Sequence, residues 1–235
     1  MQALNLLYPK QCVGCDSFVE AENSLCAECW RDTPFVEGAV CDACGVPLVG
    51  GDADDRDHCD DCLRTARPWS RGRTALIYSG KGRRLTLGLK HGGREDIADT
   101  AGHWMARAGR EIISDGTVFV PVPLHWLRLV KRRYNQAALL ALALGNATGR
   151  PVIADALIRP NRTRSLERLS PEDRFAVLSD AIAFNPKRDL TGREVVLVDD
   201  VMTSGATLAA ATRAATASGA KSVDVLTLAR AVKGA

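Results

Sequence analysis

The densest group of chemically useful side chains lies near the end of the chain. Asp199 and Asp200 come directly after the apolar run Val195–Val198, and the turn Thr203–Thr207 follows with three hydroxyls and a glycine. Carboxylates accept hydrogen bonds from sugar hydroxyls, whereas the hydroxyls and backbone N–H groups of a turn that opens a helix bind an anion. This pattern predicts a sugar-phosphate site made of Asp199, Asp200, Thr203, Ser204, Gly205, Ala206 and Thr207.

An ordinary connection between a strand and a helix would also explain the turn, because Thr203 or Ser204 alone can cap a helix. Such a connection does not explain two neighbouring carboxylates, since like charges repel one another at a strand end. We therefore favour the sugar-phosphate site over a simple helix cap.

The predicted site needs a buried strand before it and a helix after it. Val195–Val198 is uninterrupted and apolar, as are strands buried on both faces of a parallel sheet. The Ala-rich sequence that follows, with Gly219 at its end, predicts a helix over about 205–218. Residues 117–123 predict the first central strand. Ligands of such sheets bind beyond the carboxyl ends of the strands, where the two acids fall.

Three further segments complete the predicted α/β domain. A short strand is predicted at Thr74–Ser79 and a basic turn at Gly80–Arg84. Apolar residues recur at helical spacing from Ile97 to Ile112. Trp104 lies on that apolar face, which favours a place in the core over stacking on a base.

All eight cysteines of the chain lie before residue 63, in four Cys-x2-Cys pairs. Two such pairs can hold one tetrahedral zinc ion, so four pairs predict two closed structural sites. We favour pairing in sequence order, and interleaved pairing stays open. His58 is expected to be a bystander. The predicted ligands are Cys12, Cys15, Cys26, Cys29, Cys41, Cys44, Cys59 and Cys62.

A disulfide framework is the alternative explanation for an even number of cysteines. It would require an oxidising compartment, and residues 1–10 lack the charged and apolar regions of a secretory signal. No apolar run approaches the roughly 18 residues that cross a bilayer. We therefore expect a cytoplasmic protein with reduced thiols, free for zinc.

The charge of the chain is divided unevenly. Residues 1–70 hold five Lys and Arg against thirteen Asp and Glu, a net charge of −8, whereas residues 71–235 hold 26 against 15, a net charge of +11. A basic half suits pyrophosphate or nucleic acid. Candidate contacts for these anions are Lys90, Arg132, Arg133, Arg162 and Arg164.

These candidates differ in how they would act. Arg132 and Arg133 follow a predicted strand end and could bind phosphate oxygens bidentately, or could belong to a basic surface loop. Lys90 is as compatible with a solvated loop as with a phosphate contact. Arg162 and Arg164 lie in a segment that would close over a substrate or follow single-stranded nucleic acid, although aromatic residues are scarce there.

The combination of motifs resembles the ComF family, in which a double zinc ribbon precedes a type I phosphoribosyltransferase-like domain. The matching segments are the four cysteine pairs, Leu89-Lys90, Val120–His125, Arg133–Ala137, Arg162-Thr163 and Leu197–Thr207. The resemblance implies a double zinc ribbon at 1–65 and, at 66–235, a mainly parallel sheet with flanking helices. It also implies that the two acids hold the ribose hydroxyls of phosphoribosyl pyrophosphate, brought with Mg2+, and that Thr203–Thr207 holds its 5′-phosphate.

The same resemblance implies an accessory role in natural transformation, handling imported single-stranded DNA. A separate hypothesis makes the zinc ribbon a docking platform for a DNA-uptake helicase. An active phosphoribosyltransferase of unknown acceptor, in nucleotide metabolism or salvage, is the alternative. Tyr134 and Ser204 depart from the family pattern in ways that keep phosphate binding. A glutamine usual after the Arg-x-Thr segment is replaced by Leu166 or Glu167, which weakens any inference about a catalytic base there.

Overall fold

The protein is described by a computed structural model over residues 9–48, 57–91, 94–160 and 181–232. Its strands are β1 Gly72–Ile77, β2 Thr117–Pro121, β3 Leu157–Ile158, β4 Ala183–Phe184, β5 Glu194–Met202 and β6 Ser222–Arg230. Its helices are α1 Ala27–Asp32, α2 Asp60–Arg64, α3 Gly80–His91, α4 Asp96–Ala108, α5 Trp126–Arg132, α6 Gln136–Thr148 and α7 Ala206–Ala217.

Four parallel strands form the central sheet in the order β1-β6-β5-β2. Val195 and Leu197 of β5 face a core shared with α7 and with the last two Cys-x2-Cys segments, Cys41–Cys44 and Cys59–Cys62. Val196 and Val198 face a second core, shared with α3, α4 and α6. Because alternate residues of a strand point to opposite faces, an uninterrupted apolar run fills both cores. The predicted fold class, a mainly parallel sheet with flanking helices behind a cysteine-rich amino-terminal part, is confirmed.

The cysteine-rich part packs along β1, the edge strand of this sheet. The Val36 N–H donates to the Ala75 carbonyl and the Ile77 N–H to the Pro34 carbonyl, both at 2.9 Å. Further along the strand, the Gly72 N–H donates to the Asp42 carbonyl at 2.8 Å. Backbone pairing therefore continues from the sheet into the cysteine-rich part.

A charged cluster reinforces the same junction. Arg71 and Arg73 of the β1 region both contact one carboxylate oxygen of Asp42 at 2.9 Å, and both also contact Glu111. Burial alone would raise the pKa of Asp42, but the hydrogen bonds and charges of the two arginines outweigh it and lower that pKa. The pKa of Glu111 is lowered mainly by its hydrogen bond from Arg73.

Most predicted elements are confirmed, and one is wrong. The helix expected over 205–218 is α7, and Trp104 is 9% exposed within α4. The basic turn expected at Gly80–Arg84 is instead the beginning of α3, because Leu85 and Leu89 are four residues apart and bury one face of a helix.

Candidate functional site

The turn between β5 and α7 is held in place by arginines from distant parts of the chain. One nitrogen of Arg230 donates to the carbonyls of Met202 and Thr203, at 3.2 and 2.6 Å. Nη1 of Arg67 donates to the carbonyl of Ser204 at 2.7 Å. Since these contacts use carbonyl oxygens, they fix the turn without occupying its N–H groups.

Gly205 caps the beginning of α7 in a left-handed conformation, with φ of 82°. A Cβ atom there would lie 3.0 Å from the ring of Trp69 and 3.1 Å from Nη1 of Arg67, so glycine is required by both conformation and space. The first N–H groups of a helix have no partner within the helix, and they suit an anion. Anion binding by Thr203–Thr207 stays a prediction from the sequence.

The two adjacent acids lie inside β5, whereas we expected them beyond its end. Pairing with β6 continues through Met202 opposite Arg230, which is why the strand does not end at Val198. The alternation of side chains is nevertheless interrupted at the acids, because Val198 and Val201, three residues apart, pack against the same core. Neither acid is part of either apolar core.

The acids are coupled to each other and to a cation. The Asp200 N–H donates to Oδ1 of Asp199, and the Val201 N–H donates to Oδ1 of Asp200, each at 2.9 Å. Nζ of Lys90 lies 3.8 Å from Oδ2 of Asp200. Burial, followed by the negative charge of Asp200, raises the pKa of Asp199 well above its ordinary value. The pair is therefore suited to accept hydroxyl donors or a cation, either of which would stabilise the charged form.

The structure brings some of the predicted cations to this place. Lys90 is in the last turn of α3, where the Tyr134 hydroxyl donates to the Leu89 carbonyl at 2.7 Å. Nε2 of Gln136 donates to the Lys90 carbonyl, and Oε1 of Gln136 accepts from Nη1 of Arg132 at 3.2 Å. Gln136 therefore connects Arg132 to the end of α3.

Two other groups of predicted cations are placed differently. Arg133 is exposed and has a φ of 70° where it caps α5, so its backbone turns the chain toward α6. Arg162 and Arg164 lie outside the described residues, and their assigned roles stay predictions.

The eight cysteines gather as two clusters in sequence order. The first holds Cys12, Cys15, Cys26 and Cys29, and the second holds Cys41, Cys44, Cys59 and Cys62. Within each cluster all four sulfur atoms lie within 4.8 Å of one another, and one pair in each is 3.7 Å apart. Zinc with bonds of about 2.3 Å at the centre of a tetrahedron requires sulfur atoms about 3.8 Å apart. Both clusters therefore fit zinc with all four positions filled by protein.

Each cluster is contacted by a cation that sequence reasoning missed. Nζ of Lys81 lies 2.9 Å from Sγ of Cys29, and Nε of Arg67 lies 3.4 Å from Sγ of Cys62. Four thiolates around one Zn2+ leave a net negative charge, which such cations stabilise. The contact of Lys81 was not predicted because the beginning of its helix was interpreted as a turn. The contact of Arg67 was not predicted because nothing in its local sequence indicates its partners.

A cleft of about 560 Å3 lies between β1, α4 and residues 30–45 of the cysteine-rich part. Trp30 forms part of its wall and is 47% exposed. The Trp30 ring packs against Phe35 at 4.6 Å between centroids, and Phe35 packs edge-on against Trp104 at 5.3 Å. The position of the Trp30 ring in the wall of the cleft is therefore fixed by its packing on Phe35, which in turn packs on Trp104.

Charged side chains of both signs also line the cleft. His103, Arg107 and Arg110 are exposed on or just after α4, and Glu37 and Glu111 lie beside them in the lining. Arg107 pairs with Glu37 at 3.6 Å, and both side chains are about two-thirds exposed. An exposed ion pair of this kind is weak, so Arg107 can exchange Glu37 for another anion.

Two protein families match this chain. The double zinc ribbon domain family matches residues 3–68, and the phosphoribosyl transferase domain family matches residues 152–235. The first match covers both cysteine clusters, and the second covers the paired acids and the turn after them. Within the described residues, no helix is both long and apolar enough to cross a membrane.

Curated relatives match almost the whole chain. Competence protein F of Haemophilus influenzae is 28% identical over 228 residues, 94% of this chain and 97% of its own. DNA utilization protein YhgH of Escherichia coli K12 is 28% identical, over 88% of this chain and 90% of its own. Competence protein ComFC of Bacillus subtilis is 26% identical, over 90% and 86%.

Among solved structures, the glutamine phosphoribosylpyrophosphate amidotransferase of B. subtilis, in complex with ADP and GMP, aligns at 17% identity. The alignment covers 60% of this chain and 30% of that one, with a TM-score of 0.40. At this distance the likeness carries no weight for function.

Proposed function

Because this chain is a member of the ComF family, with a double zinc ribbon ahead of a phosphoribosyltransferase domain, we propose two functions for it. The first is binding of phosphoribosyl pyrophosphate or a related nucleotide. The second is an accessory role in handling imported single-stranded DNA. The paired acids, together with the arginine-held turn that follows them, carry the first half of this proposal. The names of the relatives and the cleft lined by Trp30, Arg107 and Arg110 support the second half.

Each part of the ligand has a matching group in the site. Asp199 and Asp200 would accept hydrogen bonds from the ribose 2′ and 3′ hydroxyls. The N–H groups and hydroxyls of Thr203–Thr207 would hold the 5′-phosphate. Lys90 and Arg132 would face the pyrophosphate, and a contact from Arg133 stays a prediction from the sequence. Mg2+ would arrive with the pyrophosphate oxygens, since it prefers phosphate, carboxylate and water ligands.

Calorimetric titration of phosphoribosyl pyrophosphate with Mg2+ tests this half. The Asp200→Ala variant should bind at least tenfold more weakly, because ribose hydroxyls lose a charge-assisted partner worth roughly 1.5 to 3 kcal/mol. Asp99→Ala, which removes an exposed acid from α4, is the matched control and should bind as the unmodified protein does. Absence of binding by the unmodified protein would refute this half of the proposal.

The cleft is the surface that we assign to single-stranded DNA. Bases stack on aromatic rings without regard to sequence, and arginines follow the phosphates. Trp30 supplies an exposed ring, and Arg107 and Arg110 supply the charges. A helicase partner at the ribbon, the domain boundary at residues 65 and 66 and a cytoplasmic location all stay predictions from the sequence.

The nearness of Lys90 to Asp200 favours the alternative, an active phosphoribosyltransferase, as a second candidate. A cation there would stabilise the charge that develops on a leaving pyrophosphate. Release of labelled pyrophosphate in the presence of bases, ammonia or nucleotides would identify turnover. No release with any acceptor would leave binding alone as the function of the site.

A further inference from the structure

Arg67 connects the second cysteine cluster directly to the turn that follows β5. Its Nε lies 3.4 Å from Sγ of Cys62, and its Nη1 donates to the Ser204 carbonyl at 2.7 Å. One planar guanidinium therefore contacts a predicted zinc ligand and a backbone carbonyl 137 residues later in the chain. Because the guanidinium is rigid and planar, it fixes the position of the Ser204 carbonyl relative to Sγ of Cys62.

Trp69 makes a second connection between the same parts. It is buried, and its indole N–H donates to the Ala43 carbonyl, between Cys41 and Cys44. The Arg67 guanidinium carbon lies 5.7 Å from the centre of the Trp69 ring. Gly205 packs closely against both side chains, since a Cβ atom there would lie 3.0 Å from Trp69 and 3.1 Å from Arg67. The turn is thus packed against groups that the second cluster positions.

Both connections depend on a closed second cluster. Ala43 lies within the knuckle Cys41–Cys44, and Cys62 belongs to the knuckle Cys59–Cys62, so the two anchors come from different halves of the site. A metal ion at the centre fixes the halves relative to each other and keeps the thiolate that accepts from Arg67. Without the ion, the two knuckles lose their common anchor.

The first cluster reaches the site by a longer route. Lys81 contacts Cys29 from the first turn of α3, whereas Lys90 contacts Asp200 from the last turn of that helix. This twelve-residue helix separates Lys81 and the first cluster from the acids. Only the second cluster shares a side chain with the phosphate-binding turn among the described contacts.

We propose that zinc in the second cluster sets the shape of the phosphate-binding turn through Arg67, so that zinc retention and ligand affinity are coupled. Arg67 is then a positioning residue, since it acts through the Ser204 backbone. Coupling of two binding equilibria is reciprocal, so the ligand must also raise the affinity of the second cluster for zinc. The ligand half rests on the proposed binding of phosphoribosyl pyrophosphate.

The test compares the unmodified protein with Arg67→Met and with Lys81→Met, a control that removes the corresponding cation from the first cluster. Zinc content is measured first, and two ions per chain are expected in each. Hydrogen exchange of residues 203–208 should be faster in Arg67→Met and unchanged in Lys81→Met. Equal exchange in all three proteins overturns the proposal, whether or not the protein binds phosphoribosyl pyrophosphate.

Ligand binding and zinc retention give the second measurement. Affinity for phosphoribosyl pyrophosphate should fall roughly tenfold in Arg67→Met, a size typical of coupling between two sites. At equilibrium with a competing chelator, the ligand should increase zinc retention at one of the two sites in the unmodified protein, and should have no such effect in Arg67→Met. A ligand effect on zinc retention that persists in Arg67→Met contradicts coupling through this residue. Failure of the unmodified protein to bind the ligand refutes the proposed function, and the exchange measurement then decides the link between zinc and the turn.

Discussion

Nζ of Lys90, at the end of α3, lies 3.8 Å from Oδ2 of Asp200 in β5. This pair joins the helix that begins at the first cysteine cluster to the strand that carries the paired acids. The Asp200 side chain is 14% exposed and that of Lys90 is 29% exposed, so the contact is partly shielded from solvent. The lysine is consequently placed to reach an anion that approaches the acids.

Lys90→Met should weaken binding of phosphoribosyl pyrophosphate roughly tenfold, because a cation near the pyrophosphate is lost while the aliphatic stem is kept. Binding of ribose 5-phosphate, which lacks the pyrophosphate, should change by less than about twofold. Titration calorimetry with both ligands measures the difference. Lys187→Met removes an exposed lysine and is the matched control. Equal losses for both ligands would show that Lys90 does not face the pyrophosphate.

Gly205→Ala should abolish binding of phosphoribosyl pyrophosphate and destabilise the protein by about 1 to 3 kcal/mol, since the new methyl group meets Trp69 and Arg67 at a positive φ. Gly149→Ala provides the control. Gly149 also has a positive φ, of 68°, but open space surrounds the position of its Cβ. It should lose about 1 kcal/mol of stability and keep its ligand affinity. Chemical denaturation and calorimetry measure the two effects.

Asp199→Asn should stabilise the protein at pH 8 more than at pH 5. The pKa of Asp199 is raised in the folded state by burial and by the charge of Asp200, so its ionised form destabilises the fold. This unfavourable contribution is present at high pH and disappears as the pH falls through the raised pKa. Thermal unfolding at both pH values measures the effect. A stabilisation that does not change with pH would mean that relief of charge is not the cause.

Affinity for single-stranded DNA should fall roughly tenfold in Trp30→Ala, because stacking of one base contributes about 1 to 3 kcal/mol. Phe18→Ala, which removes another exposed aromatic ring from the first cysteine-rich segment, should have little effect. Arg110→Ala should reduce the slope of log K against log salt by about 0.7, the value for one phosphate contact on a single strand. Fluorescence anisotropy over a salt series measures all three. A loss in Phe18→Ala equal to that in Trp30→Ala would move the DNA site away from the cleft.

Local patterns predicted much of this molecule. The apolar run before Asp199, the helix after Gly205 and the grouping of the cysteines follow from spacing within short segments, because strand burial, helix capping and zinc coordination each depend on neighbouring residues. Lys90 lies in the last turn of α3 near Asp200, and its contact with phosphate stays a prediction. The prediction of a turn at Gly80–Arg84 was wrong because it was based on the glycines and charged residues of this segment alone. The apolar pair that defines the helix, Leu85 and Leu89, comes after them.

The groups that shape the turn could not be predicted in this way. Arg67 and Arg230 contact carbonyls of the turn from 137 and 27 residues away, and neither belongs to a local motif. Their roles depend on how β6 and the second cluster are arranged around the end of β5. Continued pairing of β5 to Met202 likewise reflects a partner strand, β6, that the sequence of β5 does not reveal.

The backbone hydrogen bonds that β1 makes with Pro34, which accepts, and Val36, which donates, mean that the cysteine-rich part also covers a sheet edge. An uncovered edge strand offers free N–H and C=O groups to any other extended chain, and such edges promote aggregation. Removal of residues 1–65 would uncover β1 along its length. The cysteine-rich part thus covers a strand edge that would otherwise favour pairing between copies of the sheet domain.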